Sequence, residues 1–247
     1  METVAVIVGA GEGRRMGGQC KALLRLGNKP LLCYSLEIMQ KTESVDGICV
    51  VVPPGLLRYF EDEFTSTWPC EKVFAWVGGG IRRRNSVEMA LKQIPGSAMW
   101  IAVHDVARPF ITEDLLERVL NAARGSGASV PGVRVLDTTK EVDDKGYVVR
   151  SLERERLRAI QTPQVFSAEI IRRAYFDAEA REESLTDDAS FVERLGVEVA
   201  VVQGSRHNIK ITLPEDLELA HYILGKKKQN SKQEPGFGNQ EAEGSSW

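Results

Sequence analysis

Three short segments of this chain gather the residue types that handle phosphate and charge. The first is Gly9-Ala10-Gly11-Glu12-Gly13-Arg14-Arg15-Met16-Gly17, with Lys21 shortly after it. A glycine-rich turn lets backbone N–H groups approach phosphate oxygens, and the following arginines and lysine suit a bound triphosphate whose charge must be neutralised. Two familiar phosphate loops do not fit. A dinucleotide fingerprint begun at Gly9 needs glycine where Arg14 stands, and begun at Gly11 it needs a small residue where Met16 stands. A Walker A loop needs Gly-Lys-Ser/Thr, and Lys21 lies between Cys20 and Ala22. The plainer alternative is a structural turn with solvated arginines.

The second segment is Gly78-Gly79-Gly80-Ile81-Arg82-Arg83-Arg84-Asn85-Ser86. Three arginines entering a helix meet the positive end of its dipole, a conflict that an anionic ligand relieves. Arg82 or Arg84 also reads as a surface residue. The third is His104-Asp105-Val106-Ala107-Arg108-Pro109, after an apolar run. A carboxylate at the end of such a strand can hold Mg²⁺ directly or through water, or it can cap a turn and pair with Arg108. Weaker polar segments are Arg154, Gln161-Thr162-Pro163-Gln164, Thr186-Asp187-Asp188 and Asn208-Ile209-Lys210-Ile211-Thr212. Taken alone, Thr186 reads as the cap of a helix over 188–194, and Lys210 as a surface charge. No two of the four cysteines form a Cys-x-x-Cys pair, and the three histidines are scattered, so no zinc site is expected.

These segments need a scaffold that brings turns together, and the rest of the sequence describes one. Apolar runs over 4–8, 48–52, 72–77, 99–103, 128–133 and 197–202 read as strands. Helical patterns over 30–41, 83–93 and 112–124 lie between them. Thr112 is the expected cap of the last of these. The rhythm implies an α/β fold, a doubly wound and mostly parallel sheet. One stretch departs from it: 133–155 has a strand, an Asp143-Asp144-Lys145-Gly146 turn and a second strand, the pattern of a projecting β-hairpin arm. An isolated hairpin is marginal in water, so a homodimer packing two arms is expected. Ser167 opens a helix expected to reach 182. Thr212 and Glu215 fit a capping box for a last helix ending near 224. The chain therefore divides into a domain over 1–225 and a polar, disordered tail over 226–247.

Composition narrows the function. The chain has 247 residues and a formal net charge of −3, which disfavours a nucleic-acid partner held by bulk positive charge. The apolar runs are far short of the roughly 20 residues of a membrane helix, and the N-terminus carries no basic region before an apolar stretch. No membrane association and a cytoplasmic location with reduced thiols are expected.

Taken in order, the motifs Gly-Ala-Gly-Glu-Gly-Arg-Arg-Met, Val-His-Asp-Val-Ala-Arg-Pro, Asp-Thr-Thr-Lys, Gln-Thr-Pro-Gln-Val-Phe, Thr-Asp-Asp-Ala-Ser and Asn-Ile-Lys-Ile-Thr resemble one family. It is the 2-C-methyl-D-erythritol 4-phosphate cytidylyltransferases of the non-mevalonate isoprenoid pathway. The resemblance implies a Rossmann-like nucleotidyltransferase fold, a homodimer through 133–155, and CTP with Mg²⁺ or another divalent cation. It implies that Ala10, Gly11, Gly13 and Lys21 cradle the triphosphate, with Arg15 and Lys21 as catalytic cations. Gly79, Gly80 and Ser86 would face the cytosine, and Asp105 the metal and ribose. Arg154, Thr162, Thr186 and Lys210 would bind the sugar phosphate, Arg154 from the partner subunit. The sequence departs from the family where Cys20 and Ala22 flank the lysine and where Ile81 and Arg82 follow the glycine pair. A ribitol 5-phosphate cytidylyltransferase, or a non-catalytic nucleotide-binding protein on the same fold, remains an alternative.

Overall fold

The structure is a computed structural model that describes residues 1–11, 18–176 and 185–230. Its strands in chain order are β1 (Thr3–Val8), β2 (Arg25–Leu26), β3 (Lys29–Pro30), β4 (Gly47–Val52), β5 (Val73–Gly78) and β6 (Trp100–Asp105). They continue with β7 (Ala128–Arg134), β8 (Lys140–Val142), β9 (Val148–Ser151), β10 (Arg158–Ile160), β11 (Gln164–Ser167) and β12 (Ala200–Gln203).

Why β1 lies at the centre is visible in its own residues. All six are buried, with Val4, Val6 and Val8 in one core cluster and Ala5 and Ile7 in the other. A strand apolar on both faces is stable only with cover on both sides. The first cluster includes Val87, Ala90 and Leu91 of helix Arg83–Leu91 and Ile171 of helix Ala168–Phe176; the second includes Leu32, Leu36 and Met39 of helix Leu31–Lys41 and Leu116, Val119 and Leu120 of helix Glu113–Ser126. The main sheet runs β10-β7-β11-β6-β1-β4-β5, with β12 on β7. The β1–β4, β1–β6, β4–β5 and β7–β12 pairs are parallel, as expected.

The exception is the return from the hairpin. β10 and β11 both pair antiparallel with β7, and β11 also pairs antiparallel with β6. The polar segment over 161–164 is therefore not a loop. It is the break between two short strands in the middle of the sheet, next to the end of β6. Gln161 ties the break to the segment after β12, its amide Nε2 donating to the Ser205 carbonyl at 2.8 Å.

Local signals act mostly as their chemistry dictates. The Thr112 hydroxyl accepts from the Leu115 N–H, and the helix it caps ends at Gly127, whose φ of 83° favours glycine. Two expected caps are corrected. Asp187, not Thr186, caps helix Asp188–Glu193, its side chain accepting from Ser190 N–H. At the last helix, Asp216 takes the N–H groups of Thr212 and Leu213, each at 2.8 Å, in place of a Thr212–Glu215 box. That helix, Pro214–Asn230, also passes through the lysine run rather than ending near 224. Ala220 and Ile223 pin it to Leu26, Leu31 and Phe110 in a small third core. The helix opened by Ser167 is described as Ala168–Phe176, so its expected end at 182 lies outside the described residues, as does 231–247. β8 and β9 pair only with each other, and the hairpin exposes Leu136, Val142, Tyr147, Val148 and Val149.

Candidate active site

The carboxyl ends of β1, β4, β5 and β6 open onto one cleft of about 940 Å³. Sheet edges of this kind are where open α/β proteins bind ligands, because the strand-to-helix turns there carry free backbone N–H groups. Gly9, Ala10 and Gly11 form one wall, Pro53, Pro54 and Gly55 another, and Gly79 to Arg83 with Ser86 a third; Lys21, Asp105 and Lys210 line the rest.

The first and second glycine segments pack against each other. A Cβ on Gly79 would stand 2.1 Å from the Ala10 Cβ and 2.8 Å from the Ser86 hydroxyl. One on Gly80 would stand 2.3 Å from the Asn85 Cβ. Neither position has room for a side chain, so the backbone itself forms that wall. The Gly80 N–H donates to the Ser86 hydroxyl at 3.2 Å.

The charges in the cleft are arranged around Asp105. Its Oδ1 accepts from Arg83 Nε at 2.9 Å, and its Oδ2 from Lys210 Nζ at 2.6 Å. Burial by itself would raise this carboxyl's pKa. The Arg83 and Lys210 cations outweigh that and hold it well below the usual carboxylate range, so Asp105 is ionised at neutral pH. Lys21, on the short turn Lys21–Leu23, donates to the Ile211 carbonyl at 2.9 Å, one residue from Lys210. Among the described lining residues are four cations (Lys21, Arg82, Arg83 and Lys210) and this one carboxylate, of which Arg83 and Lys210 contact it. That balance suits a polyanionic ligand.

His104, beside Asp105, takes no part in proton chemistry at the cleft. It is wholly buried, with Nδ1 3.0 Å from the Thr162 hydroxyl and Nε2 3.2 Å from the Arg108 carbonyl. A carbonyl only accepts, so Nε2 carries the proton and Nδ1 accepts from Thr162. Thr162 in turn accepts from the Asp105 N–H at 3.1 Å. Burial chiefly pushes the His104 pKa down to about 4. Between pH 6.5 and 4 the unfolded chain therefore binds a proton that the folded chain does not, and stability falls as pH falls through that window. We expect about 3 kcal/mol to be lost between pH 7 and 4 from this group. Urea unfolding at the two pH values measures it; a loss no smaller in His104→Gln would assign it elsewhere.

The cleft brings together Ala10, Gly11, Lys21, Gly79, Gly80, Ser86, Asp105 and Lys210 of the residues anticipated from sequence. Gly13 and Arg15 lie outside the described residues. Thr162 is buried behind Asp105 rather than lining the cleft. Arg154 is not among the lining residues; it is exposed, tied to Glu155 Oε1 at 3.2 Å and the Leu136 carbonyl at 3.0 Å. Thr186 is exposed and also outside the lining. Two residues of the segments named from the sequence had no role attached to them there. Arg83 is the one of the three arginines seen against Asp105, and Asp188 is its fully buried partner. The signal for Arg83 was the unfavourable cluster at a helix start; Asp188 stood in the polar Thr186-Asp187-Asp188 segment, which says nothing of its partner.

A mixed sheet with a parallel β6-β1-β4-β5 half, a glycine turn after its first strand, and a cleft lined by cations and one ionised carboxylate are the features of a nucleotidyltransferase. Within that class the chain belongs to the 2-C-methyl-D-erythritol 4-phosphate cytidylyltransferase family, whose model matches residues 3–226. The enzyme of that name from Alkaliphilus metalliredigens is 39% identical over 232 residues, covering 94% of this chain and 96% of that one. Its counterpart from Caldicellulosiruptor bescii is 40% identical over 230 residues, 92% of this chain and 99% of the other. The solved structure of 4-diphosphocytidyl-2C-methyl-D-erythritol synthase from Anaerococcus prevotii superimposes with a TM-score of 0.80 at 29% identity, covering 91% and 96% of the two chains. The Thermus thermophilus cytidylyltransferase structure gives 0.72 at 35% identity, covering 90% and 98%. Among the described residues no helix is long and apolar enough to cross a membrane.

Proposed function

We propose that this cleft joins CTP to 2-C-methyl-D-erythritol 4-phosphate, giving 4-diphosphocytidyl-2-C-methyl-D-erythritol and pyrophosphate. The observation that carries the reading is the charge pattern: four cations and one ionised carboxylate at the strand ends, with the neighbouring histidine neutral and turned inward. The acceptor phosphate has a second pKa of about 6 and is largely dianionic at neutral pH. It can attack the α-phosphorus of CTP in line without a general base. The chain's task is to hold two polyanions together and to stabilise charge on the departing pyrophosphate. Lys21 and Arg15 carry that role, with the N–H groups of Ala10, Gly11 and Gly13 around the triphosphate. Gly79, Gly80 and Ser86 form the base pocket, whose tight packing excludes a side chain at either glycine.

Mg²⁺ fits this cleft through Asp105. Among the described residues no group of three or more His, Cys, Asp or Glu side chains could hold a metal alone. Mg²⁺ bound with phosphates needs only one or two carboxylates, and a lone carboxylate facing a triphosphate is repulsive unless it draws a cation. When bound, the ion neutralises charge on the phosphates.

Residues 1–225 form the catalytic domain in this reading, with 133–155 as its dimerisation arm and 226–247 as a polar extension. The exposed apolar residues of the arm support a homodimer. In such a dimer Arg154 enters the partner's cleft, joining Thr186 and Lys210 at the acceptor, with Thr162 beneath. Arg154→Ala should then raise the KM for the sugar phosphate by at least about tenfold, the size of a lost charge-assisted hydrogen bond. It should leave the CTP affinity near wild type. A change confined to CTP would remove Arg154 from the acceptor site.

The decisive assay is pyrophosphate release with CTP and Mg²⁺, offering methylerythritol 4-phosphate or ribitol 5-phosphate. Release with the first alone is expected. Release with ribitol phosphate alone would overturn the acceptor assignment. Silence with both, in protein that still binds CTP, would overturn the catalytic reading.

A further inference from the structure

Arg83 is engaged on two sides at once. It is the first residue of helix Arg83–Leu91, where the helix dipole opposes a cation. Two carboxylates compensate. Asp188 takes NH1 and NH2 in a bidentate pair at 2.9 and 2.7 Å, and Asp105 takes Nε at 2.9 Å. Asp188 is fully buried and also accepts the Tyr175 hydroxyl. Its surroundings are tied to the sheet through Gln164 of β11. The Gln164 amide donates to Asp187 Oδ2 at 2.7 Å and accepts from the Ala189 N–H at 3.0 Å. Gln164 thus anchors to the sheet the two residues that flank Asp188, and Asp188 holds Arg83 against one oxygen of the cleft carboxylate.

We propose that Arg83 and Asp188 are positioning residues for Asp105. They commit Oδ1 to Arg83 and leave Oδ2, held by Lys210 in this structure, as the oxygen that a divalent cation arriving with the nucleotide would take. The inference rests on the reading of Asp105 given above. The planar guanidinium fixes the angle between its two partners, which a lysine cannot do. Asp188 has an electrostatic part as well. An arginine paired with Asp105 alone would cancel its charge and leave a poor cation ligand. Sharing Arg83 with Asp188 leaves negative charge on Oδ2, which Lys210 covers in this structure and gives up to a metal.

The rival account is that the ion pair only welds helix Arg83–Leu91 to helix Asp188–Glu193. The two accounts separate in Asp188→Asn and Arg83→Lys, with three readouts on the full chain. These are thermal unfolding, kcat with KM for CTP, and Mn²⁺ binding followed by electron paramagnetic resonance with CTP and no acceptor. Residues behind a metal ligand typically contribute about 10–100-fold in metal affinity or activity. Both variants should lose that much in Mn²⁺ affinity and in kcat, with KM for CTP little changed. A folded Asp188→Asn with wild-type Mn²⁺ affinity and kcat, lower only in melting temperature, would overturn the proposal. If Asp188→Asn does not fold, Arg83→Lys decides on the same readouts, since it keeps the charge and loses only the two-sided grip. Asp105→Asn separates the two levels. If it too binds Mn²⁺ and turns over normally, the reading of the cleft fails. If it fails while Asp188→Asn is normal, only the positioning role is lost.

Discussion

Lys21→Ala is expected to lower kcat by about 10²–10³, the usual cost of removing one preorganised group that meets charge developing in the transition state. The lysine stands at the cleft wall on the short turn Lys21–Leu23, its ammonium 2.9 Å from the Ile211 carbonyl. That contact holds it at the wall of the cleft. The turn is anchored by Ala22, which is fully buried. The fold should therefore survive, and the melting temperature should move little. The effect should fall on kcat more than on KM for CTP, because the charge the lysine meets grows as the pyrophosphate leaves. Steady-state kinetics with circular dichroism as the folding control measures this. Near-normal turnover in folded Lys21→Ala would remove the lysine from the mechanism.

Asp105→Asn should cost at least about 10² in kcat, with the opposite sign on nucleotide affinity. In the wild-type cleft the carboxylate is the only anion among the described lining residues. Removing its charge leaves Arg83 shared with Asp188 alone and releases Lys210 to the ligand. CTP should bind no worse, and in the absence of metal it should bind better. Turnover should fall because the group that draws the cation is gone. The amide keeps the shape and one acceptor oxygen, so the Arg83 contact persists in weakened form. Loss of stability should stay below the 3–5 kcal/mol of a fully broken buried pair, since Lys210 is partly exposed and can turn to water. Binding titrations with CTP, with and without Mg²⁺, beside kcat, test both halves. A variant that turns over normally, or loses CTP affinity in metal-free buffer, would contradict this account.

The acid lability of His104 and the low pKa of Asp105 come from adjacent residues on one strand. One is forced neutral by burial, the other is kept charged by two cations. That contrast explains why the cleft holds charge without a proton relay. It fits a reaction whose nucleophile arrives already deprotonated.

Local pattern was sufficient for much of this protein. Val4 to Val8 alternate between two cores, so a doubly covered strand can be read from the run itself. Thr112 and Gly127 mark their helix by capping chemistry that acts over a few residues. The glycine segments and Lys21 are legible because a phosphate cradle needs backbone access and cations close together in the chain. What the sequence left open depends on groups that meet from far apart. β11 slots antiparallel between β6 and β7 only because the hairpin returns the chain there, and its alternation says nothing about neighbours. Arg82 or Arg84 reads as a surface residue from sequence, but the partner of Arg83 stays hidden until Asp188, 105 residues away, closes on it. A period of two or 3.6 records which face a residue takes; the pairing of buried charges has no period, and only the packed fold decides it.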